Sequence, residues 1–96
     1  MNRYDEDYSR MEIRLRNMEA FSAVKKMIEH GDVDEAPLNT IVSMYPLFEM
    51  DIDMPLHELE YRIRLLHNAD YVYIRNGAYG SEMVSITELG LRRYTS

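Results

Sequence analysis

Ninety-six residues, 46% of them hydrophobic, with a net charge of −6 and no cysteine, make one small domain with one core. They exclude a disordered chain, a disulfide framework and thiolate metal sites. No apolar run approaches the roughly 18 residues of a membrane span and no leader precedes a cleavage site, so a soluble cytoplasmic protein without membrane contact is expected. The charge is unevenly placed. Residues 1–28 carry six Lys/Arg against five Asp/Glu, residues 29–53 carry seven acids and neither Lys nor Arg, and residues 54–96 carry five of each. Small nucleic-acid-binding domains are mostly basic, but here the acidity is confined to one segment.

Residues 4–18 read as a helix. Tyr4, Tyr8, Met11, Leu15 and Met18 recur at alternating four- and three-residue steps, the spacing of a coiled-coil seam, and Glu6–Arg10 and Glu12–Arg16 are favourable pairs on its flanks. Two roles stand open for it, packing on its own domain or dimerisation. A shifted stripe follows at Phe21, Val24, Met27 and Ile28. Either a bend at residues 17–19 or one long curved helix reconciles the two. Gly31 is expected to take the left-handed cap position.

Residues 32–36 form an acidic connector with room for a very short strand. Pro37 opens a second helix carrying Leu38, Ile41, Val42 and Tyr45, which Pro46 is expected to stop. In the following eight residues, Phe48, Met50, Ile52 and Met54 alternate with acids. An extended segment, a packed loop and an exposed hydrophobic-acidic surface all fit that pattern.

Pro55 suits the first position of a third helix over residues 55–67, with Leu56, Leu59, Ile63 and Leu66 on its buried face. Two β-rich runs, residues 71–75 and 83–86, flank a glycine-containing tip and read as a hairpin. Thr87-Glu88 then caps a helical turn or two. Met11, Met18, Met27, Met44 and Met83 read as core filler, and Tyr61, Tyr73 and Tyr79 either join the arginines on an open face or rim the core.

The stretch Leu66-His67-Asn68-Ala69-Asp70-Tyr71-Val72, together with Ile86-Thr87-Glu88-Leu89-Gly90, resembles the C-terminal part of a winged helix-turn-helix domain. The resemblance covers residues 19–94. It implies an α+β fold with a three-helix core and a C-terminal β-hairpin wing over residues 71–86. On that reading residues 1–18 are an added helical extension and residues 19–96 the winged-helix domain. Asp70 stands where glycine is usual and is expected to adopt a left-handed conformation.

The resemblance further implies a DNA-binding transcriptional regulator that contacts double-stranded DNA through the recognition helix and the wing. His57, Tyr61, Arg62 and Arg64 on the helix and Arg75, Asn76 and Tyr79 on the hairpin are its expected contacts, with Arg92 and Arg93 adding phosphate contacts. A homodimer through Tyr4, Tyr8, Met11, Leu15 and Met18 goes with it. The plainer alternative makes these arginines solvated charges, with Glu58 and Glu60 as i,i+4 partners of Arg62 and Arg64. The competing function is an acidic winged-helix protein-interaction module that binds a protein partner through segment 29–53.

Asp51-x-Asp53-x-x-x-His57 lacks the glycine and glutamate of a calcium loop, so no metal site is expected there, and Asp53 is instead expected to cap the next helix. His30, His57 and His67 lack ligand spacing. No phosphate loop, nucleophile elbow or zinc pair occurs, and neither a cofactor nor a catalytic role is expected.

Overall fold

The computed structural model describes residues 5–48 and 51–95, residues 46–48 by their backbone alone. Ser9 starts the first helix: its hydroxyl accepts the Glu12 N–H at 3.2 Å, while the Glu12 carboxylate accepts the Ser9 N–H at 3.1 Å. Helix α1 then runs unbroken over Arg10–Gly31. The single long helix, not a bend, is therefore what joins the two apolar stripes, and residue 18 falls inside it. The reciprocal cap also corrects the expected start near Tyr4. Residues 5–7 form a turn and Tyr8 precedes the helix, while Tyr4 lies outside the described residues.

The elements that follow are β1 (Ala36–Pro37), α2 (Leu38–Phe48), α3 (Leu56–Asn68), β2 (Val72–Asn76), a 3-10 turn over Ala78–Gly80, β3 (Glu82–Ile86) and α4 (Glu88–Thr95). The strands form one antiparallel sheet in the order β1-β3-β2. Val72 pairs with Ile86 and Ile74 with Val84, so four aliphatic side chains share one face and pack on the core. Phe21 and Val24 of α1, Ile41 and Tyr45 of α2, and Leu59, Ile63 and Leu66 of α3 fill that core.

Local expectations are corrected at several ends. Asp32 rather than Gly31 takes the left-handed position after α1, with φ 51°, a conformation that aspartate tolerates. Helix α2 runs through Pro46 to Phe48: the proline forgoes one bond of the ladder, to the carbonyl four residues before it, without ending the helix there. Pro55 is the N-cap of α3 rather than its first residue, and no side chain caps that end. Asp53 therefore does not do so, and its carbonyl instead accepts from Arg16 at 3.1 Å. Leu56 is exposed, and Met54 takes the buried place expected for it.

The methionine reading is corrected too. Met11, Met18 and Met44 are exposed, whereas Met27 packs against the core at its margin and Met83 is half-buried.

Asp70 does adopt the left-handed conformation, at φ 65°. Its carbonyl accepts the Thr87 hydroxyl at 2.6 Å, and Thr87 Oγ1 in turn accepts the Gly90 N–H at 3.0 Å, capping α4. Tyr94 of α4 stacks on Phe21 at 4.8 Å and meets Tyr71 edge-on at 5.4 Å. His67, at the end of α3, accepts the backbone N–H of Ile74 on Nδ1 at 3.2 Å.

The buried Tyr45 hydroxyl donates to Glu19 at 2.6 Å, and the Asp51 N–H donates to the same carboxylate at 3.2 Å. Burial first, then the Glu19 carboxylate, pushes the Tyr45 phenol up. This pair ties the connection ahead of α3 to α1. Among the described residues no helix is long and apolar enough to cross a membrane.

Candidate nucleic-acid interface

Helix α3 buries Glu58, Leu59, Arg62, Ile63 and Leu66, a 3.6-residue period that leaves the opposite side outward. His57 is exposed there and Tyr61 and Arg64 are half-buried. The hairpin after α3 adds Arg75, Asn76 and Tyr79, all exposed. Its tip holds Tyr79 in the left-handed region at φ 58°, ψ 30°, a conformation that disfavours a bulky side chain, and Tyr79 is the most exposed large hydrophobic residue among the described residues.

Arg62 is the correction. Its exposure is 0%, and among the described residues it is the largest of the fully buried side chains. The guanidinium donates to Glu58 at 2.8 Å, to Asn17 at 2.8 Å and to Asp5 at 2.8 Å. Glu58, also buried, accepts from Arg16 at 2.6 and 2.7 Å. Burial pushes Glu58 up, but the hydrogen bonds of Arg16 and Arg62 outweigh it and hold its carboxyl below the usual range. The Glu58–Arg62 pair expected on the solvated surface is thus the polar centre of the α1–α3 seam, and Arg62 does not reach outward to a groove.

The two outward arginines carry carboxylate partners. Arg64 donates bidentately to Glu82 of β3 at 2.7 and 2.9 Å and to Glu60 at 3.1 Å. The bonds to Glu82 raise the Arg64 guanidinium and lower the Glu82 carboxyl. Arg75 donates to Glu35 through both Nε and Nη2, with Nε 2.8 Å from one oxygen, and the Glu35 carboxyl is lowered accordingly. Each pair is partly exposed, about 44% at Arg64 and 46% at Arg75, the class of ion pair that water and salt screen most.

Arg92 and Arg93 are exposed on α4, with Arg93 5.9 Å from the Tyr94 ring. Within the acidic segment, Glu29 pairs with Lys25 at 2.7 Å, Glu35 with Arg75, and Asp32 ends α1. Ile52 is half-buried and Met54 buried, so the alternating stretch is in part a packed loop; Met50 and the Phe48 side chain lie outside the described residues. Asp51, Asp53 and His57 do not form a metal-holding group, and none of three or more such residues occurs among the described residues.

On α1, Met11, Leu15 and Met18 form an outward stripe, 63%, 45% and 39% exposed. It borders a shallow groove of about 220 Å³ lined by Leu15, Met18, Ser22 and Ile52, with Glu19 and Asp51 alongside. Tyr8 is not part of this stripe. Its ring lies 4.4 Å from the Arg16 guanidinium.

The residues that sequence reasoning missed are Asp5, Arg16 and Asn17. Their signal was the phase of Arg62 with Leu59, Ile63 and Leu66. Comparison of the chain with family models, with curated proteins and with solved structures gave no match.

Proposed function

We propose that this protein is a winged-helix DNA-binding protein acting as a transcriptional regulator, by binding rather than by catalysis. The observation that supports it is the element order helix, short strand, helix, helix, strand, tip, strand, with the sheet order β1-β3-β2. That order sets α3 beside a hairpin, and together they offer His57, Tyr61, Arg64, Arg75, Asn76 and Tyr79 as donors and stacking surfaces. The carboxylate pairs of Arg64 and Arg75 are exposed and individually weak, so phosphate can replace the carboxylates at small cost. Arg62 serves this function by holding α3 against α1.

The test is fluorescence anisotropy of labelled duplex DNA at two salt concentrations. Arg64→Ala with Arg75→Ala is expected to weaken binding about tenfold or more and to reduce the salt slope by about two. Glu60→Gln with Glu82→Gln is expected to tighten it. Absence of binding by the parent protein at low salt overturns the reading. One observation favours the alternative, an acidic module for a protein partner: both outward arginines are already matched by Glu60, Glu82 and Glu35. Under that reading the Glu60→Gln, Glu82→Gln protein gains no DNA affinity.

The DNA-binding form is a homodimer joined along α1 through Met11, Leu15 and Met18. Arg14 lies on one flank of the stripe and Glu12 on the other. Two copies side by side in the same direction therefore set a basic flank against an acidic one. Leu15→Glu is expected to give a monomer by sedimentation equilibrium, with an unfolding midpoint that no longer rises with protein concentration. An unchanged mass sinks the interface.

A further inference from the structure

The α1–α3 seam contains two arginines, Arg16 and Arg62, which share the one carboxylate the helices bring to it, Glu58. Further negative charge comes from outside the helices, from Asp53 towards Arg16 and from Asp5 towards Arg62. Asp5, in the turn before α1, lies 2.8 Å from Arg62 Nη2 and is 23% exposed, whereas Arg62 is not exposed at all. Asp5 is therefore the layer between a buried guanidinium and water. Tyr8 completes the cover, with its ring 4.4 Å from the Arg16 guanidinium and 5.9 Å from that of Arg62. Asn17 Oδ1 accepts from Arg62 Nη1 at 2.8 Å and so holds the other terminal nitrogen of the fork.

We infer that residues 5–8 form a latch: the Asp5 carboxylate is a tethered ligand in a carboxylate-binding site built from Arg62 and Asn17 and roofed by Tyr8. Without Asp5, the buried Arg62 guanidinium keeps only the neutral Asn17 and a carboxylate shared with Arg16, so it retains demand for an anion, and a planar fork suits a carboxylate. The tether holds the Asp5 carboxylate at a high effective concentration, so free carboxylates enter only when the latch is open. Opening also uncovers one positive charge beside Tyr61, whose ring is 5.9 Å from the Arg62 guanidinium, at the margin of the outward face of α3. This second consequence, a gain in polyanion affinity, rests on the DNA-binding reading. The carboxylate site does not.

Thermal unfolding in chloride and in acetate at equal ionic strength tests the site. Asp5→Ala is expected to lower the midpoint by roughly 5–10 °C, and acetate is expected to restore at least half of that loss. Acetate should leave the parent protein and the Asp5→Ala, Arg62→Met protein unmoved. Equal acetate effects in all three, or no loss in Asp5→Ala, overturn the proposal. Should Asp5→Ala fail to fold in chloride, recovery of its folded signal in acetate carries the same test, and continued failure to fold in acetate overturns the proposal. On labelled duplex DNA, Asp5→Ala is expected to bind about threefold tighter with a salt slope steeper by about one. Acetate rescue without DNA binding by either protein upholds the site and overturns the DNA reading.

Discussion

Arg62→Ala is expected to lower the unfolding free energy by about 3–5 kcal/mol, seen as a fall in the urea midpoint with little change in slope. The loss has three parts. Asp5 and Asn17 lose their common partner, Glu58 keeps only Arg16, and the space of a large fully buried side chain is vacated. Arg64→Ala, two residues on, is expected to cost no more than about 1 kcal/mol, because its pairs with Glu60 and Glu82 are exposed. Similar costs at the two positions contradict the buried network. The contrast also bears on tests of the proposed DNA binding: Arg62→Ala would act there by loosening α3, so Arg64 and Arg75 are the positions that report on contact.

Gly90→Ala is expected to cost about 3 kcal/mol. A Cβ there would lie 2.0 Å from the Tyr71 carbonyl oxygen and 2.7 Å from Cε1 of Phe21. The oxygen belongs to backbone fixed between the Asp70 turn and β2, so it has little freedom to retreat. The Phe21 ring is held by its stack on Tyr94. Relief requires α4 to lift off α1, with loss of both aromatic contacts of Tyr94, and near-ultraviolet circular dichroism is the direct readout of that lift. A Gly90→Ala protein as stable as the parent overturns this account of why glycine stands there.

Where local chemistry decided the structure, the sequence was readable. The glycine-containing tip between two β-rich runs foretold the hairpin, Thr87 foretold its own cap, and Asp70 foretold a left-handed turn in place of glycine. The errors arose where distant partners decide. Arg62 sits in phase with Leu59, Ile63 and Leu66, yet a charged residue is read as outward by default. Glu58 is a local partner, but Asn17 and Asp5 lie 45 and 57 residues away, beyond any local pattern. The start of α1 failed differently: Tyr4 and Tyr8 continue the apolar spacing, but Ser9-x-x-Glu12 is a capping box that competes with it and prevails. Leu56 is exposed while Met54, in the connection before α3, is buried, a choice that the alternation of apolar residues with acids left open. At the candidate interface the outward residues on α3 and the hairpin were legible, and their neutralisation by Glu35 and Glu82 was not, since both pairs join separate elements.

The bond between His67 and Ile74 bears on how this chain avoids aggregation. Strand β2 borders the sheet, and the amide of a border strand is where a foreign strand first docks to extend a sheet into a fibre or a mispaired dimer. Here the Ile74 amide is already taken by an imidazole from the helix that delivers the chain into the strand. A single side chain thus stands in for a fourth strand. Replacing it with a residue that offers no acceptor would leave the fold's interior intact while giving neighbouring molecules a place to begin.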